Sequence, residues 1–270
     1  YAFIPSIENL TKNHGVLRPE LYGINKASTF TGFCAYHDKQ IFLPLEDQEF
    51  VGSKEQCFLL SYRAQAREHF TKKSSSKLLE FIKQADRGKS PLEQFHIQNM
   101  ASAHTLGTDA GVRDGIIYKN KFDAILTLQN FTNINAYILE FKKTPSVLCS
   151  AGIFPECDFY GNHLQDLFDL GMTPDLLTFS TIVTKKGGAA VFTWLNDNDS
   201  KGNCEKFIDS LKAIAPDKIT SSLIRFFFEF CENIFMEPKW WESLDKSKQD
   251  RLIFRILNAA SLLEVRNPNW

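Results

Sequence analysis

The apolar positions between residues 51 and 106 recur at helical spacing. Ser53-Lys54-Glu55-Gln56 has the form of a capping box, and Cys57, Leu60, Ala64 and Arg67 follow at intervals of three and four, which predicts a helix to about Thr71. Leu78, Leu79 and Ile82 predict a second helix over 75–85. A third starts at Ser90-Pro91-Leu92-Glu93, with proline at the first helical position and glutamate three after the cap, and runs to about His104. Gly107 and Gly111 then argue against continuation.

From Ile116 the pattern changes. The apolar runs 122–128, 136–141 and 147–154 read as strands, joined by 130–135 and by Thr144-Pro145. A short helix over 164–170 interrupts them and ends at Gly171. Residues 177–184 and 189–195 flank Lys185-Lys186-Gly187-Gly188, a hairpin signal because glycine supplies the positive φ that such turns require. Helical spacing returns over 204–214, 219–235 and 246–263, and Trp240-Trp241, just past Pro238, reads as a plug against the body. Residues 1–50 lack a long helical period. Their short apolar pieces at 1–4, 30–33 and 41–45 predict strands and loops.

This order predicts an α+β fold, with a central antiparallel sheet (116–195) flanked by N-terminal helices (51–106) and C-terminal helices (203–265). No internal repeat, low-complexity tract or obvious linker divides the chain. We therefore expect a single α+β domain over 51–270 and an incomplete N-terminal appendage over 1–50.

Composition narrows the classes. Lys and Arg number 31 against 32 Asp and Glu, so a uniformly basic nucleic-acid binder is excluded. No apolar run is long enough to span a bilayer, and no membrane partner is expected. The charge is nevertheless uneven: residues 51–90 hold nine basic and four acidic residues, and 151–200 hold two and seven. A basic helical face of that kind suits phosphate backbones, or is simply solvated. The chain has 24 phenylalanines against seven tyrosines and four tryptophans, enough to fill a large interior or line a ligand pocket. The six cysteines are scattered, with Cys57, Cys204 and Cys231 on helical segments beside apolar neighbours, as reduced core thiols of a cytoplasmic protein would be. The chain begins with Tyr1 and its first methionine is Met100, so we expect the natural start to lie upstream.

Three constellations bear chemistry. In Gly32-Phe33-Cys34-Ala35-Tyr36-His37-Asp38, the Cys-x-x-His spacing lets a thiolate and an imidazole face one zinc ion, with Asp38 orienting the ring. A buried thiol beside a hydrogen-bonded histidine would read the same way. In the second, Asp123 lies on one expected strand and Glu140 and Lys142 on the next, which satisfies the acid–acid–lysine nuclease pattern without its proline. There two carboxylates would hold Mg²⁺ and the lysine would help activate a water. The alternative is a hairpin whose solvent face carries charges. Third, Cys149, Ser150, Cys157, Asp158 and His163 offer nucleophiles, an acid and a base, without a motif that fixes their geometry. Asp109, Arg113 and Asp114 fall in a glycine-bounded stretch read as a loop, and His96 and His104 share a helical face.

The stretch from Gly23 to Cys34, continued by His37-Asp38 and 42–46, resembles a family of uncharacterised bacterial proteins. Residues 187–194, 228–233, Pro238 and Trp240-Trp241 are similar to it as well. Longer members of that family begin with a Cys- and His-containing segment resembling half of an HNH-type treble clef. The resemblance implies that Cys34 and His37 complete that zinc site, and that the general-base histidine lies upstream of Tyr1. The expected function is nucleic-acid binding or processing, as an HNH-like metal-dependent nuclease of bacterial defence. The rival is a non-catalytic scaffold or ligand-binding protein.

Overall fold

A computed structural model of the chain describes residues 1–23, 27, 32–167, 169 and 171–258, with backbone alone at 75–83, 85, 100, 103, 104 and 106–110. The fold is α+β, with a five-stranded antiparallel sheet covered by helices. In chain order the elements are α1 (Ile7–Lys12), α2 (Ala35–Glu46), α3 (Lys54–Lys83), α4 (Pro91–Leu128), β1 (Ile134–Phe141), β2 (Val147–Ile153), β3 (Leu177–Thr184), β4 (Gly187–Leu195), α5 (Asn203–Lys212), α6 (Ile219–Phe230), β5 (Ile234–Met236), α7 (Pro238–Ser243) and α8 (Lys246–Asn258). The sheet order is β1-β4-β3-β2-β5. β3 and β4 form the expected hairpin, with Thr184 opposite Gly187, whose φ is +137°.

Alternation along the strands feeds two cores. Leu177 and Phe179 of β3, Ala190, Phe192 and Trp194 of β4, and Val147, Cys149 and Ala151 of β2 face α5, α6, α7 and α8. Phe226 lies at the centre of that core, fully buried, with ring centroids of Phe159, Phe179, Phe192, Phe207 and Phe230 between 4.7 and 5.9 Å away. Trp241 stacks on Phe228 with its plane tilted by only 10°, so the tryptophan pair does plug the body. On the other face, Ala189 and Val191 pack on Cys57 of α3. Ile134 and Leu195 meet Phe58, Tyr118 and Phe122 of α3 and α4.

Several expected elements differ. The two helices expected over 53–71 and 75–85 are one, α3, which runs through Ser74 as its hydroxyl donates to the Phe70 carbonyl. Residues 122–128 are the last turns of α4, not a strand: Phe122, Ile125 and Leu126 fall at i, i+3 and i+4 and all pack into the core beside Phe58. The stretch 41–45 lies in α2, where Phe42 is fully buried and Ile41 and Leu45, one turn apart, face the same cluster. No helix forms at 164–167; Gln165 instead brackets the Asp175 backbone with two hydrogen bonds, and residues 168 and 170 lie outside the described residues. The helix from Ile219 stops at Phe230, because Cys231 turns extended and 234–236 pair with β2. The expected strand at 1–4 reduces to two isolated bridges of Ala2, with Glu20 and with Phe235; of the one expected at 30–33, residues 30 and 31 lie outside the described residues and 32–33 form no strand. The expected helix at 246–263 is described to Asn258. The N-terminal segment is fastened to the body: Tyr1 donates its amino group to the Met236 carbonyl at 2.7 Å, and Phe3 enters the larger core.

Phe226→Ala would leave a cavity that five neighbouring rings cannot fill by small shifts. We expect it to lower unfolding free energy by about 3–5 kcal/mol, measured by urea denaturation.

Candidate functional site

The face that α3 turns to the sheet begins apolar and becomes polar. Ser61, Gln65, Glu68 and Lys72 follow at i, i+4, i+7 and i+11, with His69 beside Glu68. Ser61 accepts from the Thr178 hydroxyl at 2.7 Å, and Gln65 donates to the Gly115 carbonyl of α4 at 3.2 Å. Two glycines of α4 make room for the stripe. A Cβ on Gly115 would come within 3.2 Å of His69 Nδ1, and one on Gly111 within 3.3 Å of Lys72 Nζ. Helix glycine is unfavourable by about 1 kcal/mol relative to alanine, so α4 keeps these positions against its own propensity.

Two recesses share Gln65 and His69. The outer one is a cleft of about 230 Å³ between α3 and α4. Phe33, Tyr62, Phe70 and Phe122 wall it with rings, and His69, Lys73 and Lys119 are its basic groups. The inner one is a small recess of about 10 Å³, lined by Gln65, Glu68, His69, Lys72, Gly115, Gly152, Phe154 and Leu176. Lys72 Nζ stands 5.6 Å from the Phe154 ring centroid.

Burial pushes the Glu68 carboxyl up to about 7, outweighing the pull of Lys72 and Arg67, and Glu232 adds to the rise. Its side chain keeps 20% of its surface and lines the inner recess. His69 is held below the usual imidazole range, first by burial and then by Lys73, Lys119 and Lys72, with Asp123 opposing them. Its Nδ1 is buried and has no hydrogen-bond partner among the described residues. The neutral imidazole is therefore the form that the site favours. Asp123 stands at the cleft's edge, where Tyr62 donates to it at 2.9 Å and Lys119 pairs with it. Burial, then the Asp123 hydrogen bond, holds the Tyr62 phenol protonated.

The expected catalytic set is not brought together. Asp123 is on a helix, one residue from Phe122, which packs with Ile134 at the start of β1. Glu140 is six residues further along that strand, roughly 20 Å away at the rise of an extended chain. It lies opposite Ala189, exposed, and Lys142 is exposed just beyond the strand. Cys34 caps α2, and its Sγ lies 3.3 Å from His37 Nδ1, both side chains being exposed. They supply two of the four donors a structural zinc needs, and no group of three or more metal-ligating side chains occurs among the described residues. Asp158 is occupied by its own turn, accepting from the Tyr160 and Asn162 backbones, and Cys157 bridges to His163 across it. The other five cysteines are buried. Arg113 and Asp114 are on α4, where they pair, rather than in a loop. His96 is exposed on the same helix, and the side chains of Asp109 and His104 lie outside the described ones.

Sequence reasoning missed Gln65, Glu68, His69, Lys72 and Lys119. The signal was present: polar residues recur at core spacing on α3 opposite glycines four apart on α4. No protein-family model matches the chain, and comparisons with curated proteins and with solved structures find no match. Among the described residues no helix is long and apolar enough to cross a membrane.

Glu68 also ties stability to pH. Its folded value near 7 lies above the ordinary 4.5, so between those limits the folded chain holds a proton that the unfolded chain has released. Stability from this group is full below the lower limit and falls as pH rises through the window. Urea denaturation from pH 5 to 8 should show the parent losing up to about 3 kcal/mol more than Glu68→Gln. Parallel curves for the two proteins would mean that Glu68 is ionised in the folded state.

Proposed function

We propose that this protein binds nucleic acid in single-stranded form, through the cleft between α3 and α4. The observation that carries the reading is the convergence of Lys72, Lys73 and Lys119 on His69 beside a ring-walled recess. Lysines neutralise backbone phosphates, and aromatic faces stack bases at about 1–3 kcal/mol each, regardless of sequence. A recess of about 230 Å³ has room for a splayed base and not for a duplex. A chain of nearly neutral total charge can bind in this way because the basic excess is local: the nine basic residues of 51–90 include Lys72 and Lys73.

Fluorescence anisotropy with a labelled single-stranded 12-mer, over 50–300 mM salt, tests this. Saturable binding that weakens steeply with salt is expected. Lys73→Gln and Lys119→Gln together should weaken it at least tenfold and flatten the log–log salt slope by about 1.4, near 0.7 for each phosphate no longer neutralised. Absence of binding at the lowest salt, or an unaffected double variant, would leave the scaffold reading in its place.

The approach of Cys34 Sγ to His37 Nδ1 supports a second proposal, a zinc half-site whose other donors come from outside the described residues. Elemental analysis of the chain with its native upstream residues should give about one zinc per chain, lost in Cys34→Ser. No zinc in that longer protein retires the proposal.

A further inference from the structure

We propose that the inner chamber is a hydrolytic site, in which His69 deprotonates a single water for attack on a phosphodiester seated in the adjoining cleft. The inference rests on the nucleic-acid reading above and adds to it an activity, a catalytic base and a nucleophile.

The chamber's volume of about 10 Å³ matches the least space that admits one water, and a buried water needs two to four polar partners. His69 Nδ1 is buried without a hydrogen-bond partner among the described residues, which leaves its Nε2–H tautomer free to accept from a water, and Glu68, Gln65 and Lys72 line the same space. Two glycines keep it open. A Cβ at Gly115 would stand 3.2 Å from Nδ1, and one at Gly152 would stand 3.5 Å from Gln65 Oε1. A core built only for packing would fill such a gap with methyl groups. Here the gap is lined by a base, an acid and an amide, and His69 borders both the chamber and the phosphate-binding cleft.

The step balances without a co-reactant. The water oxygen forms a bond to phosphorus, and its proton passes to His69 Nδ1. The bond from phosphorus to the leaving nucleotide oxygen breaks with its electron pair, and that oxygen takes a proton from solvent in the open cleft. The products are a phosphomonoester end and a hydroxyl end, and His69 returns its proton to solvent. Glu68 accepts the water's second hydrogen and positions it, which either oxygen of a neutral or ionised carboxyl can do. Burial among lysines keeps His69 neutral near pH 7, as a base must be, and Lys73 and Lys119 offset the charge that builds on the phosphoryl oxygens.

The test combines binding with cleavage of one end-labelled single-stranded oligonucleotide, in EDTA and at pH 7.5. The parent should bind and cleave it. His69→Gln should lower the cleavage rate at least 100-fold. Gly115→Ala, which favours the helix but intrudes on the water, should lower it at least tenfold while binding stays within twofold. The rate should level off above the depressed pKa of His69, which a purely structural histidine would not impose. Binding without cleavage, cleavage that EDTA abolishes, or a His69→Gln protein as active as the parent each overturns the hydrolytic site and leaves the binding reading standing. Failure of the parent to bind overturns both.

Discussion

The constraint on which the rest of the molecule depends is that β4 is buried on both faces. Every residue from Gly188 to Leu195 is buried, so the strand needs a full layer above and below it. α6 supplies one through Phe226 and Phe227, against Phe179 and Phe192. The other layer is α3, whose Cys57 and Phe58 pack over the β1–β4 pair. Because α3 must lie across the sheet at its N-terminal half, its following turns are carried over β2 and β3. There Gln65 and Glu68 come to face Gly152 and Leu176. The site is thus placed by the demand of an apolar strand for cover, several turns away from its own chemistry.

What was legible in the sequence follows from how local each signal was. α5, α6 and the β3–β4 hairpin were readable because periodicity and turn chemistry agree with the packing they end in. The run Phe122–Leu128 was ambiguous, since Phe122, Ile125 and Leu126 satisfy a helical period within a nearly continuous apolar stretch. Gly107 and Gly111 weighed toward a break before it. Gly111, and Gly115 one turn further on, are explained by the packing of α3, where Lys72 and His69 occupy the space a side chain would take. β5 could not be read at all: three residues carry too little pattern, and the strand forms because β2 and Tyr1 offer it partners.

The candidate site was less legible than the fold, for the same reason. The acid–acid–lysine reading assumed that sequence neighbours across a turn are neighbours in space. α4 instead leaves Asp123 at one end of β1, while Glu140 lies at the other. His69 and Gly115 meet across 46 positions of a helical hairpin, and no local pattern specifies that pairing.

The polar stripe on α3 is the strongest departure from the consistency that otherwise runs through this chain. A helix face packed on a sheet is ordinarily apolar, and a half-satisfied polar group there is less stable than a methyl group in its place. Ser61 resolves the difficulty with Thr178, and Gln65 with the Gly115 carbonyl. Glu68 reaches Arg67 at 3.6 Å, whereas Nδ1 of His69 has no hydrogen-bond partner among the described residues. Glu68 is held near neutrality by burial, and Nδ1 of His69 faces a space with no side chain in it. Alanine at Gly115 would suit the helix propensity of α4 better, yet its Cβ would stand 3.2 Å from His69 Nδ1. Three positions, two on one helix and one on its neighbour, line the same small recess and keep it polar and open. A structural role for any one of them would not account for the other two, whereas a water to be held and deprotonated accounts for all three.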